Sequence, residues 1–211
     1  EDLVLRWLEL GIFTPLMRNH SAMGTRVQEA YRFEKIDGFR HIIGMRYKLL
    51  PYLYSEYMKA VLRDEMMFRP LAFDYPEDRR AVKVEDQLLL GDGMMIAPVY
   101  EQNAEGRYVY LPERMKLVRF KEDGTKEEEI LEKGDHYVEV ALTDVIFFIR
   151  PDHLIPMAKG GQCVDEVDFD HPECIGFVEN AAEYEYYNDN GYEKDYENPA
   201  HITVFRMEAE K

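Results

Sequence analysis

Cysteine is nearly absent: Cys163 and Cys174 are the only two in 211 residues. Two thiols can build neither a disulfide framework nor a four-cysteine zinc site. No apolar run approaches the eighteen or so residues of a membrane-spanning helix; the densest, Val145 to Ile149, has five. Basic charge is in deficit, 26 Lys and Arg against 42 Asp and Glu, a formal net of −16. Nucleic acids and anionic membranes attract basic patches, so neither is expected as a partner. The opening Glu-Asp-Leu-Val-Leu-Arg-Trp has no basic start and no small-residue cleavage site, and a cytoplasmic chain is expected. There is no glycine-rich phosphate loop, no Gly-x-Ser-x-Gly elbow and no His-Glu-x-x-His helix. Asn188-Asp189-Asn190-Gly191 lacks the alternation and closing Glu of a calcium loop and reads as a tight turn. Nothing in the residues requires a cofactor or a metal.

What is present is 46% apolar content, enough for the core of one large domain or two small ones. Charge is unevenly placed. Residues 1–80 carry 13 Lys and Arg against 12 Asp and Glu; residues 81–211 carry 13 against 30. Such a step predicts two units with different surroundings, the second a solvated acidic surface. The first unit reads as helical. Asp2 caps a helix whose Leu3, Trp7 and Leu10, with Val4 and Leu8, share a face, and Gly11 supplies a left-handed stop. A loop runs from Thr14 to Gly24, and Thr25 with Gln28 resembles a short capping box. Apolar residues at helical spacing then run from Phe39 through Ile42, Ile43, Tyr47, Leu50, Leu53, Tyr54 and Tyr57 to Val61, with Pro51 predicting a kink.

After Arg63 short apolar runs alternate with Gly, Pro and Asp, which predicts strands at 66–73, 88–90, 94–99, 107–111, 117–120, 137–142, 145–150, 184–187 and 202–207. Asp123-Gly124 predicts a hairpin. Ala158 to Gly161 and the acidic 165–173 stretch are linker candidates. The expected fold is an α+β composite, helices feeding an antiparallel β-sandwich.

No complete active site is visible. Glu85-Asp86, Asp165-Glu166, Asp168 and Asp170 could pair for acid–base work, but in so acidic a chain such neighbours form a solvated face. Tyr47, Tyr52, Tyr54 and Tyr57 could stack a sugar; at helical spacing Tyr47, Tyr54 and Tyr57 read as core, as do Met66-Met67 and Met94-Met95. One loop stands out, Arg18-Asn19-His20-Ser21 after an apolar helix, because ligand contacts concentrate on loops held by a scaffold. His20 is the candidate substrate-binding residue, since a neutral imidazole offers a donor and an acceptor to sugar hydroxyls. The competing reading has Arg18 and Asn19 satisfying backbone groups while His20 is buried.

Several stretches together resemble the retaining α-glucosidases of glycoside hydrolase family 31, with bacterial enzymes of the gut-commensal type nearest. They are Arg6-Trp7-Leu8-Glu9-Leu10-Gly11-Ile12-Phe13-Thr14-Pro15, Met17-Arg18-Asn19-His20-Ser21, Arg46-Tyr47-Lys48-Leu49-Leu50-Pro51-Tyr52-Leu53-Tyr54 and Arg69-Pro70-Leu71. Asp86-Gln87-Leu88-Leu89-Leu90-Gly91, Met95-Ile96-Ala97-Pro98-Val99 and Tyr108-Val109-Tyr110-Leu111-Pro112 follow. The resemblance implies that 1–80 is the last part of a (β/α)8 TIM barrel, 81–160 a proximal C-terminal β-sandwich, and 161–211 a linker and the start of a distal β-domain. Tyr187-Asn188-Asp189-Asn190-Gly191 is a looser version of the family's Tyr-x-Asp-Asp-Gly.

The resemblance also implies a role for His20, as the family's Arg-Asn-His histidine hydrogen-bonds the glucose of the glycone subsite; Arg18 is expected to orient the loop. The family's nucleophile lies in a Trp-x-Asp-Met-Asn-Glu type stretch and its acid/base is a second Asp. Neither motif occurs here. Both are expected upstream of Glu1, so the chain is expected to be an inactive segment of a glycoside hydrolase acting on α-glucoside oligosaccharides. Its partner would be the missing barrel portion or a second copy. Two other readings stay open: a non-catalytic sugar-binding β-sandwich, which needs a row of exposed aromatics, and a structural piece that folds only with its missing half.

Overall fold

The computed structural model describes residues 1–192 and 194–209; Glu193, Glu210 and Lys211, which belong to the segment 161–211, lie outside the described residues. Three helices and twelve strands follow in order among them: α1 (Asp2–Gly11), α2 (Ile36–Arg63), β1 (Phe68–Pro70), α3 (Leu71–Asp74), β2 (Leu88–Leu90), β3 (Met94–Ile96), β4 (Gly106–Leu111), β5 (Met115–Phe120), β6 (Lys126–Leu131), β7 (Gly134–Glu139), β8 (Val145–Ile149), β9 (His153–Met157), β10 (Glu173–Phe177), β11 (Ala181–Tyr187) and β12 (Ile202–Glu208). Six strands form one antiparallel sheet in the order β1-β2-β3-β8-β5-β6, and β4–β7, β9–β10 and β11–β12 form separate two-stranded ladders.

The apolar run Val145 to Ile149 explains the layering. All five residues of β8 are buried, because both faces of the sheet are covered. Val145, Phe147 and Ile149 face a core shared with α1, α2, β9 and β11. Ile146 and Phe148 face a second core with α3, β4 and β7. The sheet therefore separates two hydrophobic cores, and the one on its α1–α2 side joins the helices to β8, β9 and β11.

Several expectations are corrected by this packing. On α1 the buried residues are Leu5, Arg6 and Glu9, while Leu3 and Trp7 are exposed. The helix presents apolar groups on two sides, and only one side meets the sheet. Gly11 is not left-handed; Ile12 continues the right-handed turn, its N–H reaching Leu8 O. Thr25 caps no helix: its hydroxyl donates to Ala22 O at 2.7 Å. Helix α2 runs unbroken through Pro51, and Asp64, at φ 54°, supplies the left-handed stop. Its buried face passes through Ile42, Met45, Leu49, Tyr52 and Glu56, leaving Tyr57 exposed. Met94 and Met95 are core, but Met66 is exposed.

The Asp123-Gly124 hairpin is present, with Gly124 at φ 86° between the paired strands β5 and β6. The supposed linker is the connection of the β9–β10 hairpin and packs down: Ala158 N donates to Lys48 O at 2.8 Å, and Phe169 O accepts from Tyr186 OH at 2.6 Å.

Candidate functional site

The loop that carries His20 leaves α1 at Ile12 and reaches α2 at Ile36. Its base is fixed from both sides. Phe13 is buried and packs edge-on against Phe147, ring centres 6.4 Å apart. Arg46 of α2 donates through Nη1 to Ile12 O at 2.8 Å and Thr14 O at 2.7 Å, and through Nη2 to Pro15 O at 3.2 Å. One guanidinium thus satisfies three carbonyls of the chain just past α1, which sets the direction in which the loop departs.

α1 itself is fixed by Arg6, only 1% exposed, to the segments just before β4 and just after β7. Its Nη2 donates to Ala104 O and Val140 O, both at 2.8 Å, and Nη1 to Ala141 O at 3.1 Å. Nη1 also contacts Glu9 Oε2 at 3.2 Å. Burial pushes the Glu9 carboxyl up to about 8, with the Arg6 charge opposing the rise.

Beyond this base the loop is open. Arg18, Asn19, His20 and Ser21 are all exposed, so the buried-imidazole reading of His20 does not hold. Asn19 Nδ2 donates to Gln28 O, closing the loop on itself. Arg18 Nη2 lies 3.2 Å from His20 Nδ1. A guanidinium only donates, so Nδ1 must accept and the ring proton sits on Nε2. His20 thereby offers an N–H donor outward from a loop with a fixed base.

The other candidates separate from it. Glu85, Asp86, Asp165, Glu166, Asp168 and Asp170 are all exposed. Asp86 pairs with Arg107 at 2.6 Å and Asp168 with His171 at 3.0 Å, the solvated face their composition suggests. Tyr52 is buried and donates to Leu90 O at 2.6 Å. Tyr54 donates to Asp189 Oδ1 at 3.0 Å; burial, and then this bond to a carboxylate, push its hydroxyl up to about 12. Both tyrosines hold elements together. Arg6 and Arg46, the two clamps, had no role assigned from the sequence. An arginine amid apolar helical residues was the available signal for each.

The family model for the "Glycosyl hydrolases family 31 TIM-barrel domain" matches residues 1–56, and that for the "Glycosyl hydrolase family 31 C-terminal domain" matches residues 64–155. The lysosomal α-glucosidase of Bos taurus is 41% identical over 115 residues, 54% of this chain and 12% of that protein. Alpha-glucosidase 2 of Bacillus thermoamyloliquefaciens is 29% identical over 209 residues, 97% of this chain and 26% of that protein. Among solved structures, a family 31 dextranase of Flavobacterium johnsoniae complexed with glucose superimposes with a TM-score of 0.80 at 30% identity, over 99% of this chain and 26% of that one. The chain thus spans between 12% and 26% of the length of these relatives.

Proposed function

The chain belongs to glycoside hydrolase family 31, and from that membership we propose that it is the C-terminal portion of a retaining, exo-acting α-glucosidase. The whole enzyme would remove terminal α-linked glucose from oligosaccharides. Residues 1–80 would contribute the last elements of its (β/α)8 barrel, 81–160 a proximal antiparallel β-sandwich, and 161–211 the beginning of a distal β-domain. The observation that carries the reading is the 41% identity to an α-glucosidase over 115 residues. The dextranase solved with glucose supports a glucose-containing substrate.

A retaining hydrolase uses two carboxylates about 5–5.5 Å apart, one attacking the anomeric carbon and one protonating the leaving oxygen. His20 can replace neither. Its part is to donate from Nε2 to a hydroxyl of the bound pyranose, with Arg18 holding the tautomer and Arg46 holding the loop. Such a contact accelerates the reaction by fixing the ring for attack and by strengthening as charge develops on the sugar. The exposed Leu3 and Trp7 of α1 and Leu16 and Met23 of the loop support a covering barrel portion.

Release of p-nitrophenol from p-nitrophenyl α-glucoside tests both halves of the proposal. The 211-residue chain alone is expected to give none; turnover well above background overturns the segment reading. In the full-length enzyme, His20→Ala is expected to lower kcat/KM by roughly tenfold to a thousandfold. An unchanged value would leave His20 with no part in binding.

A further inference from the structure

The ladder of β4 and β7 has an inner and an outer face. Its inner residues Val109, Leu111 and Val138 are buried against Leu117, Ile146 and Phe148 of the large sheet. On the outer face Tyr108 and Tyr137 stand directly opposite one another in the register. They are 71% and 53% exposed, with ring centres 5.2 Å apart. Tyr100, also exposed, lines the same groove of about 290 Å³, together with Asp86, Pro98 and Arg107.

We propose that this aromatic groove is a second carbohydrate-binding surface, distinct from the His20 loop, which takes a neutral oligosaccharide chain. Three features select that chemistry. Aromatic rings offer flat apolar faces, and a pyranose presents a face of C–H groups with hydroxyls at its rim. The polar groups at the groove's edge are acceptors: the Asp86 carboxylate, which receives Tyr100 OH at 3.2 Å, and the exposed Glu101. Sugar hydroxyls can donate to these.

Among the described residues lining the groove, the one cation is already committed. Arg107 contacts Asp86 Oδ2 at 2.6 Å and donates to Pro98 O at 2.6 Å, Tyr108 O at 3.1 Å and Asp86 O at 3.2 Å. It braces the groove floor and is poorly placed to attract an anion. The excess of acid over base in residues 81–211 further disfavours a phosphorylated or sulfated ligand. A cross-strand tyrosine pair stabilises a ladder wherever it occurs, so strand stability alone explains the pair but not the open groove with Tyr100 at its end.

This surface extends the proposed function by giving the remote end of a substrate chain a place to rest, and its test does not use the cleavage reaction. The full-length protein is run on native gels containing soluble starch or heparin. Starch is expected to retard it and heparin is not. The double variant Tyr108→Thr with Tyr137→Thr replaces the rings by β-branched strand formers, and is expected to lose most of the retardation while its thermal midpoint confirms the fold. Tyr108→Phe with Tyr137→Phe keeps the rings and should stay retarded. His20→Ala should stay retarded as well, which separates this surface from the cleavage site. Absence of retardation by starch, retardation that survives the Thr double variant, retardation lost on His20→Ala, or equal retardation by heparin would each overturn the proposal.

Discussion

At the scale of single residues, the buried Arg6 and Glu9 carry opposite burdens. Arg6 donates to three carbonyls and to Glu9, while its Nε and Glu9 Oε1 have no hydrogen-bond partner among the described residues. A half-satisfied buried carboxylate favours its neutral form, which is why burial outweighs the neighbouring charge and raises its pKa from 4.5 to about 8. The unfolded chain releases this proton near 4.5, while the folded chain holds it until about 8. Over that window the folded state binds more protons than the unfolded one, so stability falls as pH rises. The effect is on the order of a few kcal/mol across the window. Glu9→Gln removes the titration and keeps the shape. Thermal midpoints of the full-length protein between pH 5 and pH 8 should decline for the native sequence, with a visibly shallower slope for the variant. Parallel slopes would mean that Glu9 is ionised in its buried position.

At the scale of elements, the turn between β2 and β3 shows what the sequence displays and what it hides. Leu90-Gly91-Asp92-Gly93 joins β2 to β3, and Gly91 sits at φ 60°. What stands against it comes from a helix 35 positions earlier: a Cβ on Gly91 would lie 2.0 Å from Glu56 Oε2. That carboxylate cannot swing aside, because it is buried and its other oxygen accepts from Tyr184 OH at 2.8 Å and Lys59 Nζ at 2.6 Å. Gly91→Ala therefore adds a clash to left-handed strain, and we expect a loss of about 2–4 kcal/mol. Gly124 has the same handedness with nothing within 4 Å of its virtual Cβ, so Gly124→Ala should cost only about 1–2 kcal/mol. Equal losses in denaturant titrations would remove the clash from the account. Local chemistry such as Asp-Gly in a hairpin was legible, as was the strand built from Val145 to Ile149. The burial of α1 on its Leu5–Ile12 side was not, since a helix apolar on two sides does not say which side meets the sheet. The strand β9, which holds Pro156, and its partner β10 were also missed. Their pairing depends on a connection whose acidic composition imitates a linker.

At the scale of the whole molecule, the charge step separated a near-neutral first part from an acidic second part, but it said nothing of their shared core. That sharing follows from β8 being covered on both faces. The His20 loop was legible as a polar cluster after an apolar helix, while its clamps at Arg6 and Arg46 were not, because their acceptors are carbonyls supplied by packing. The same packing leaves a consequence for the chain as a body. Leu3, Trp7, Leu16, Met23, Val27 and Tyr31 are all exposed within its first 31 residues, a density of apolar groups that water-facing surfaces rarely carry. The 211-residue chain in isolation is therefore expected to self-associate through this region. Trp7 is the only tryptophan, so its fluorescence reports on that surface alone. Sedimentation should show species larger than a monomer as concentration rises, with a parallel blue shift of emission as Trp7, 55% exposed in the single chain, leaves water. Replacing Leu16, Met23 and Val27 together by Ser should weaken both signals without touching either hydrophobic core. A chain that stays monomeric, with emission unmoved by concentration, would show that this apolar region needs no cover, and would count against a barrel portion packing there.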